Sequence, residues 1–169
     1  MTMQQAVKDK QKGFTMIEMV VSLGILTILV GILSNLFGSI IDVQLSSKST
    51  SSIDQDGRYI MAKLNYNMGN ASSIIGPATP GSSASAIVKN STDSINYTYN
   101  LNGGDLEMAS SGATLKLNSA DSSISDLIFT RVGIGGSSDT LQVKFTITSK
   151  TVLKGRPQIQ TYQTTFGLQ

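Results

Sequence analysis

Gly13-Phe14-Thr15-Met16-Ile17-Glu18 leads into an apolar run, Met19 to Ile41, and the reading of this stretch decides the fold. Lys8, Lys10 and Lys12 precede it, and after Glu18 no charge recurs until Asp42. As a helix rising about 1.5 Å per residue, some 23 uncharged residues span roughly 35 Å. That is enough to cross a hydrocarbon core about 30 Å thick with some tilt. A single carboxylate, Glu18, stands at the entrance. An acid in a hydrocarbon-facing segment is costly and usually has a partner. The alternative is an interfacial acid whose head snorkels to water.

Lysines flanking an apolar span tend to stay in the cytoplasm, which predicts the N-terminus inside and the C-terminal part outside. A secretory signal has a shorter apolar core and a small-x-small cleavage site. Here the run is longer, and Ser39 to Ser46 reads Ser-Ile-Ile-Asp-Val-Gln-Leu-Ser. The pattern is that of an anchor. Within the run, Gly24, Thr27, Gly31, Ser34 and Gly38 fall on one helical face, and small residues let membrane helices pack closely. Glycine is also simply common in membrane spans, which is the alternative account of this face.

Composition narrows the chemistry. The chain has 169 residues, enough for one modest domain beside the apolar segment. It has neither cysteine nor histidine, so disulfides, thiolate chemistry, Cys/His zinc sites and a Ser-His-Asp arrangement are excluded. Charges number 13 Lys+Arg against 11 Asp+Glu, and residues 1–13 hold three of the lysines and Asp9. Without them the chain is neutral, which gives no support for a nucleic-acid partner.

Lys12-Gly13-Phe14-Thr15-Met16-Ile17-Glu18-Met19, followed by the apolar helix, resembles the N-terminal signature of type IV prepilins and type II secretion pseudopilins. The resemblance implies that a membrane-embedded prepilin peptidase removes residues 1–13 as a leader. It cuts between Gly13 and Phe14, methylates the new N-terminus at Phe14, and Glu18 is the retained acid of subunit assembly. Cleavage would create an amine about one helical turn from Glu18, so in a bundle of parallel helices Glu18 could pair with the Phe14 amine of a neighbour. The helix dipole also favours an acid there. Major pilins often place a proline where this chain has Asn35, a departure that points to a minor subunit.

Beyond Asp42 the chain becomes serine-rich, yet Ile41, Leu45, Ile53, Ile60, Leu64 and Met68 keep near-helical spacing. One helix is predicted over residues 14–70, membrane-spanning over 14–41, weakest at the serines and Gly57, and ended by Gly69-Asn70. Residues 71–169 are the expected globular, β-rich head. Residues 71–93 read as a Ser/Gly/Pro/Ala loop. Strands follow at Ile95–Leu101, Leu106–Met108, Leu115–Leu117, Leu127–Val132, Leu141–Ile147 and Tyr162–Leu168, with Asn102-Gly103 as a hairpin signal. One apolar face per strand predicts a sheet with one side buried under the long helix. The fold class is α+β, lollipop-shaped, with an antiparallel sheet head. This order is similar to minor pilins of the PilW kind and minor pseudopilins of the GspJ kind.

No catalytic residue, cofactor or metal is expected. Asp54-Gln55-Asp56-Gly57 has a faint calcium-loop look but lacks the remaining ligands of an EF-hand and reads as a polar helix face. Asp121 to Asp126 reads as a solvated turn rather than a Ca²⁺ site. Gly133-Ile134-Gly135-Gly136 opens no helix and is a loop, not a phosphate cradle. Asn70-Ala71-Ser72, Asn90-Ser91-Thr92 and Asn96-Tyr97-Thr98 match the glycosylation pattern at a rate that chance explains. The chain therefore reads as a structural filament subunit. Its expected partners are other pilin or pseudopilin subunits, the prepilin peptidase, the membrane platform of the assembly machine, and lipid before assembly. It would start single-pass in the cytoplasmic membrane and end in an extracytoplasmic filament serving a pilus, type II secretion or DNA uptake. The rival is a permanently anchored extracytoplasmic binding or adhesion domain.

Overall fold

A computed structural model describes residues 13–78, 80–133, 139–153 and 156–168. The chain divides into two compact units, Met1–Asp42 and Val43–Gln169. One helix, α1 (Met16–Gly69), contributes to both. The serines at 46–52 do not interrupt it, because a middling propensity costs only tenths of a kcal/mol per residue, about. At its end the Asn70 amide donates to Tyr66 O at 2.8 Å and satisfies one of the carbonyls that a helix terminus leaves unpaired.

In the first unit every described residue from Gly13 to Ile41 is exposed, and this is the segment long and apolar enough to cross a membrane. In the second unit α1 buries one stripe, Ile53, Ile60, Leu64 and Met68, against the strands. The result is an α+β architecture in which the helix packs on antiparallel sheets.

There are two sheets where the alternation of the strands predicts one. The first, in order β1-β3-β4-β5-β6, comprises β1 (Ala71–Gly76), β3 (Ala86–Asn90), β4 (Asn96–Asn102), β5 (Asp105–Ser110) and β6 (Ala113–Lys116). The second, in order β2-β7-β8-β9, comprises β2 (Gly81–Ser83), β7 (Ser122–Val132), β8 (Thr140–Leu153) and β9 (Arg156–Gly167). Tyr99 of the first sheet meets Phe129 of the second with ring centroids 6.2 Å apart. Both rings are fully buried, so the sheets share one core.

Residues 71–93, expected as loop, instead hold β1, β2 and β3. Their side chains are small, so composition suggests a loop, while Ala71, Ile74, Ala86 and Val88 are all buried. β1 pairs with β3 through two register irregularities, which break the period-2 signal that a strand normally shows. β7 conceals itself in a similar way. Its buried positions switch from even (Ser122, Ile124) to odd (Leu127, Phe129) across a bulge between Ser125 and Ile128, where Asp126 takes φ 52°.

The hairpin after β4 turns one residue later than its Asn-Gly signal. Asn102 pairs with Asp105, and the two loop residues are Gly103 (φ 58°) and Gly104 (φ 87°). Two positive φ values in a two-residue loop match the twist of the flanking strands.

Gly57 faces Tyr162 of β9. A Cβ at Gly57 would overlap the Tyr162 phenol, whose ring stacks on Phe145 with centroids 5.4 Å apart. The glycine is thus a contact surface and not a weak point in the helix. Gly57→Val should lower the thermal midpoint of the full chain in detergent by an amount equivalent to about 1–3 kcal/mol of overpacking. Gly57→Val combined with Tyr162→Ala should recover part of that loss, and calorimetry or circular dichroism reads both.

The Asn67 amide of α1 donates to the Tyr99 hydroxyl at 2.6 Å, tying the helix to β4. Burial is the main influence on this phenol and pushes its pKa up to about 12, with the Asn67 hydrogen bond opposing it. An unfolded tyrosine titrates near 10. The folded state therefore holds the proton more tightly, so this contribution is complete below about pH 10 and is lost as pH rises toward 12. Alkaline unfolding should fall in that window. Phenolate absorbance should show Tyr99 ionising together with loss of structure, and Tyr99→Phe should move the transition upward.

Candidate functional site

The candidate site is the start of α1. Gly13 to Thr15 are non-helical and exposed, and Phe14 is 79% exposed. The Thr15 carbonyl accepts the first bond of the helix, from Met19 N–H at 3.2 Å. Its side-chain Oγ1 accepts from Glu18 N–H at 3.4 Å. Thr15 is thus the N-cap, and Thr15-Met16-Ile17-Glu18 has the Thr-x-x-Glu spacing of a capping box. This residue was missing from the sequence reading of the site, although that spacing is visible in the sequence. Gly13, Phe14, Thr15 and Glu18 line one shallow open depression. Among the described residues, no hydrogen bond or ion pair to the Glu18 carboxylate is formed.

Further along, Gly24, Gly31 and Gly38 have open space where a Cβ would stand. Thr27 donates its hydroxyl to Leu23 O at 2.8 Å, and Ser34 donates to Val30 O at 2.9 Å. Asn35 and Ser39 likewise bond back to Gly31 O and Asn35 O, each at 3.1 Å. Folding polar groups onto the helix's own carbonyls removes most of the cost of placing them in hydrocarbon. These side chains present short surfaces rather than unmet donors. Residues 1–12, with the leader lysines, lie outside the described residues.

The acidic segments do different work from a cation site. Asp56 is buried, and its Oδ2 accepts from Ser119 N–H at 3.0 Å, Ser119 Oγ at 2.8 Å and Ser122 Oγ at 2.5 Å. Its expected place on a polar helix face is therefore corrected: it clamps α1 to the β6–β7 connection at Ser119 and to the start of β7 at Ser122. Asp121 pairs with Lys48 at 3.8 Å, both largely exposed. Asp54 Oδ1 lies 3.5 Å from the Tyr162 hydroxyl. Three donors converging on one oxygen make a carboxylate receptor, the opposite of a cation cage. Among the described residues no group of three or more acidic side chains converges. Residues 134–138 of the glycine-rich segment lie outside the described residues. At its edge Gly133 abuts Asp139, which Arg131 grips with Nε at 2.8 Å while its Nη1 donates to Pro77 O at 3.3 Å.

Residues 8–34 match the family model of the prokaryotic N-terminal methylation motif. With the long apolar helix, this match is consistent with a type IV pilin-like protein, and it fits a single-pass anchor in the inner membrane. No curated protein and no solved structure matches the chain.

Replacing Asp56 tests the clamp. Asp56→Ala leaves two hydroxyls and a backbone N–H without their acceptor and should cost about 2–4 kcal/mol of stability. Ser49→Ala, two turns earlier, removes a buried hydroxyl that has no partner among the described residues and should be neutral or stabilising. Thermal unfolding of the two variants side by side reads the contrast.

Proposed function

We propose that this protein is a structural, non-enzymatic subunit of a type IV filament, a minor pilin or pseudopilin. The observation that carries the reading is the methylation motif matched at 8–34 together with the exposed apolar segment of α1, Met16 to Ile41, in which Glu18 is the one carboxylate. Such a helix must be covered, first by lipid and then by neighbouring helices. Burying each large apolar side chain contributes about 1.5–3 kcal/mol.

In this reading the prepilin peptidase hydrolyses the Gly13–Phe14 bond. A methyl group from a sulfonium donor then replaces a proton on the Phe14 amine. Glu18 of the mature chain meets the Phe14 amine of a neighbour, so that two charges costly in hydrocarbon offset each other and fix axial register. Gly24, Thr27, Gly31, Ser34 and Gly38 allow close helix packing. The residue 71–169 head lies outside the membrane and selects partners for a pilus, secretion or DNA-uptake filament.

N-terminal and intact mass spectrometry of the protein from its native membrane tests this directly. The expected chain begins at N-methylated Phe14. A chain that keeps residues 1–13 in cells with active prepilin peptidase would overturn the reading and favour a permanently anchored binding domain. Glu18→Gln should still insert and be cut, yet enter filaments at least about ten-fold less well, because an amide leaves the buried amine unpaired at a cost of about 1.5–3 kcal/mol.

A further inference from the structure

α1 begins at Met16, three residues after Gly13, whose bond to Phe14 the filament reading places at the centre of maturation. Hydrolysis of the Gly13–Phe14 peptide requires water to reach the Gly13 carbonyl carbon. The C–N bond then breaks, Gly13 leaves as a carboxylate, and Phe14 keeps the electron pair as an amine that takes up a proton. A near-attack approach of this kind needs an open carbonyl.

Were α1 to extend upstream, Gly13 O would accept from Ile17 N–H and Phe14 O from Glu18 N–H, following the i to i+4 pattern. The scissile unit would then be wound into the helix. Lys10, Gln11 and Lys12 are good helix formers and would support that extension. The structure opposes it. Thr15 Oγ1 takes the Glu18 N–H, the donor that Phe14 O would otherwise claim, and α1 begins at Met16 with Gly13 and Phe14 exposed outside it.

We propose that Thr15 is a positioning residue for leader removal: as the N-cap of α1 it keeps the Gly13–Phe14 bond in non-helical chain. The proposal rests on the filament reading and adds to it a residue whose role is conformational. Thr15 acts through the Glu18 N–H that it caps, not on the reacting atoms.

The test uses the full chain in detergent with purified prepilin peptidase, comparing wild type with Thr15→Ser, Thr15→Asn, Thr15→Ala and Thr15→Val. Serine and asparagine are good caps, whereas alanine and valine are poor ones. Leader release followed by intact mass should be within about two-fold of wild type for Ser and Asn, and roughly five-fold slower for Ala and Val. The loss should fall on KM with kcat retained, because a smaller fraction of the substrate is in the open form. Amide hydrogen exchange at Phe14 to Glu18 should show added protection at Ile17 in the Ala and Val variants.

Equal rates for all four variants would overturn the proposal. So would an asparagine variant as slow as alanine, because that pattern means the peptidase reads the hydroxyl itself. A wild-type chain left uncut overturns the filament reading, and this inference with it. A wild type that is cut with uniform variant rates sinks this inference alone.

Discussion

A backbone that enters hydrocarbon must satisfy its own polar groups, and that constraint governs the first half of α1. α1 meets it by remaining one hydrogen-bonded ladder, and Thr27, Ser34, Asn35 and Ser39 extend the same rule to side chains by bonding back onto it. Glu18 stands apart. Its N–H is held by Thr15, while its carboxylate forms no bond among the described residues. A segment that folds four polar side chains back onto its own carbonyls leaves its one charge for something outside itself. In the proposed filament, the Phe14 amine that leader removal would create has the opposite charge and the right place in the sequence to be its complement.

The second half of α1 works under a different constraint, which is fit against a core. Ile53, Ile60, Leu64 and Met68 supply the apolar stripe, but three other contacts fix its rotation and height. Gly57 admits the Tyr162 ring, Asp56 gathers donors from Ser119 and Ser122, and Asn67 holds the Tyr99 hydroxyl. Each would be lost by a shift of one residue along the helix. Apolar burial tolerates slippage between similar side chains, whereas a carboxylate needing three donors does not. The buried polar groups therefore specify register more sharply than the larger apolar area around them.

Sequence patterning made α1 legible because its signals are long: an uncharged run, then apolar residues at helical spacing over many turns. The late strands β8 and β9 were legible for the same reason, since Leu141 to Ile147 alternate without interruption. Residues 71–93 were not. Ala86 is buried because it lies opposite Tyr99 in the β3–β4 ladder and leaves room for that ring, a reason that exists only in three dimensions. β7 was legible only in its second half, because the bulge at Asp126 resets the alternation. Asp56 escaped for another reason. Its donors lie 63 and 66 residues away, and a carboxylate beside a glycine carries no local sign of them. At the candidate site, Gly13, Phe14 and Glu18 were legible from one another's spacing. Thr15 was visible in the same stretch, but its role is defined by where the helix begins.

The two halves of α1 differ in how tightly their sequences are tied to a particular neighbour. From Met19 to Ile41 apolar side chains cover most of the circumference, so any apolar surroundings can receive them, lipid or a bundle of similar helices. From Val43 onward the apolar positions shrink to one stripe, matched ring by ring and donor by donor to this chain's own sheets. A surface that fits many neighbours suits a segment that, in the proposed filament, would first lie in lipid and later among other helices. A surface that fits only one suits a segment that must hold a folded domain through both states. Thr15 and Glu18 stand at the boundary of the first kind of surface, where general apolar contact alone would set neither the helix start nor its register. They are the first polar features that a neighbouring helix or a processing enzyme would meet there.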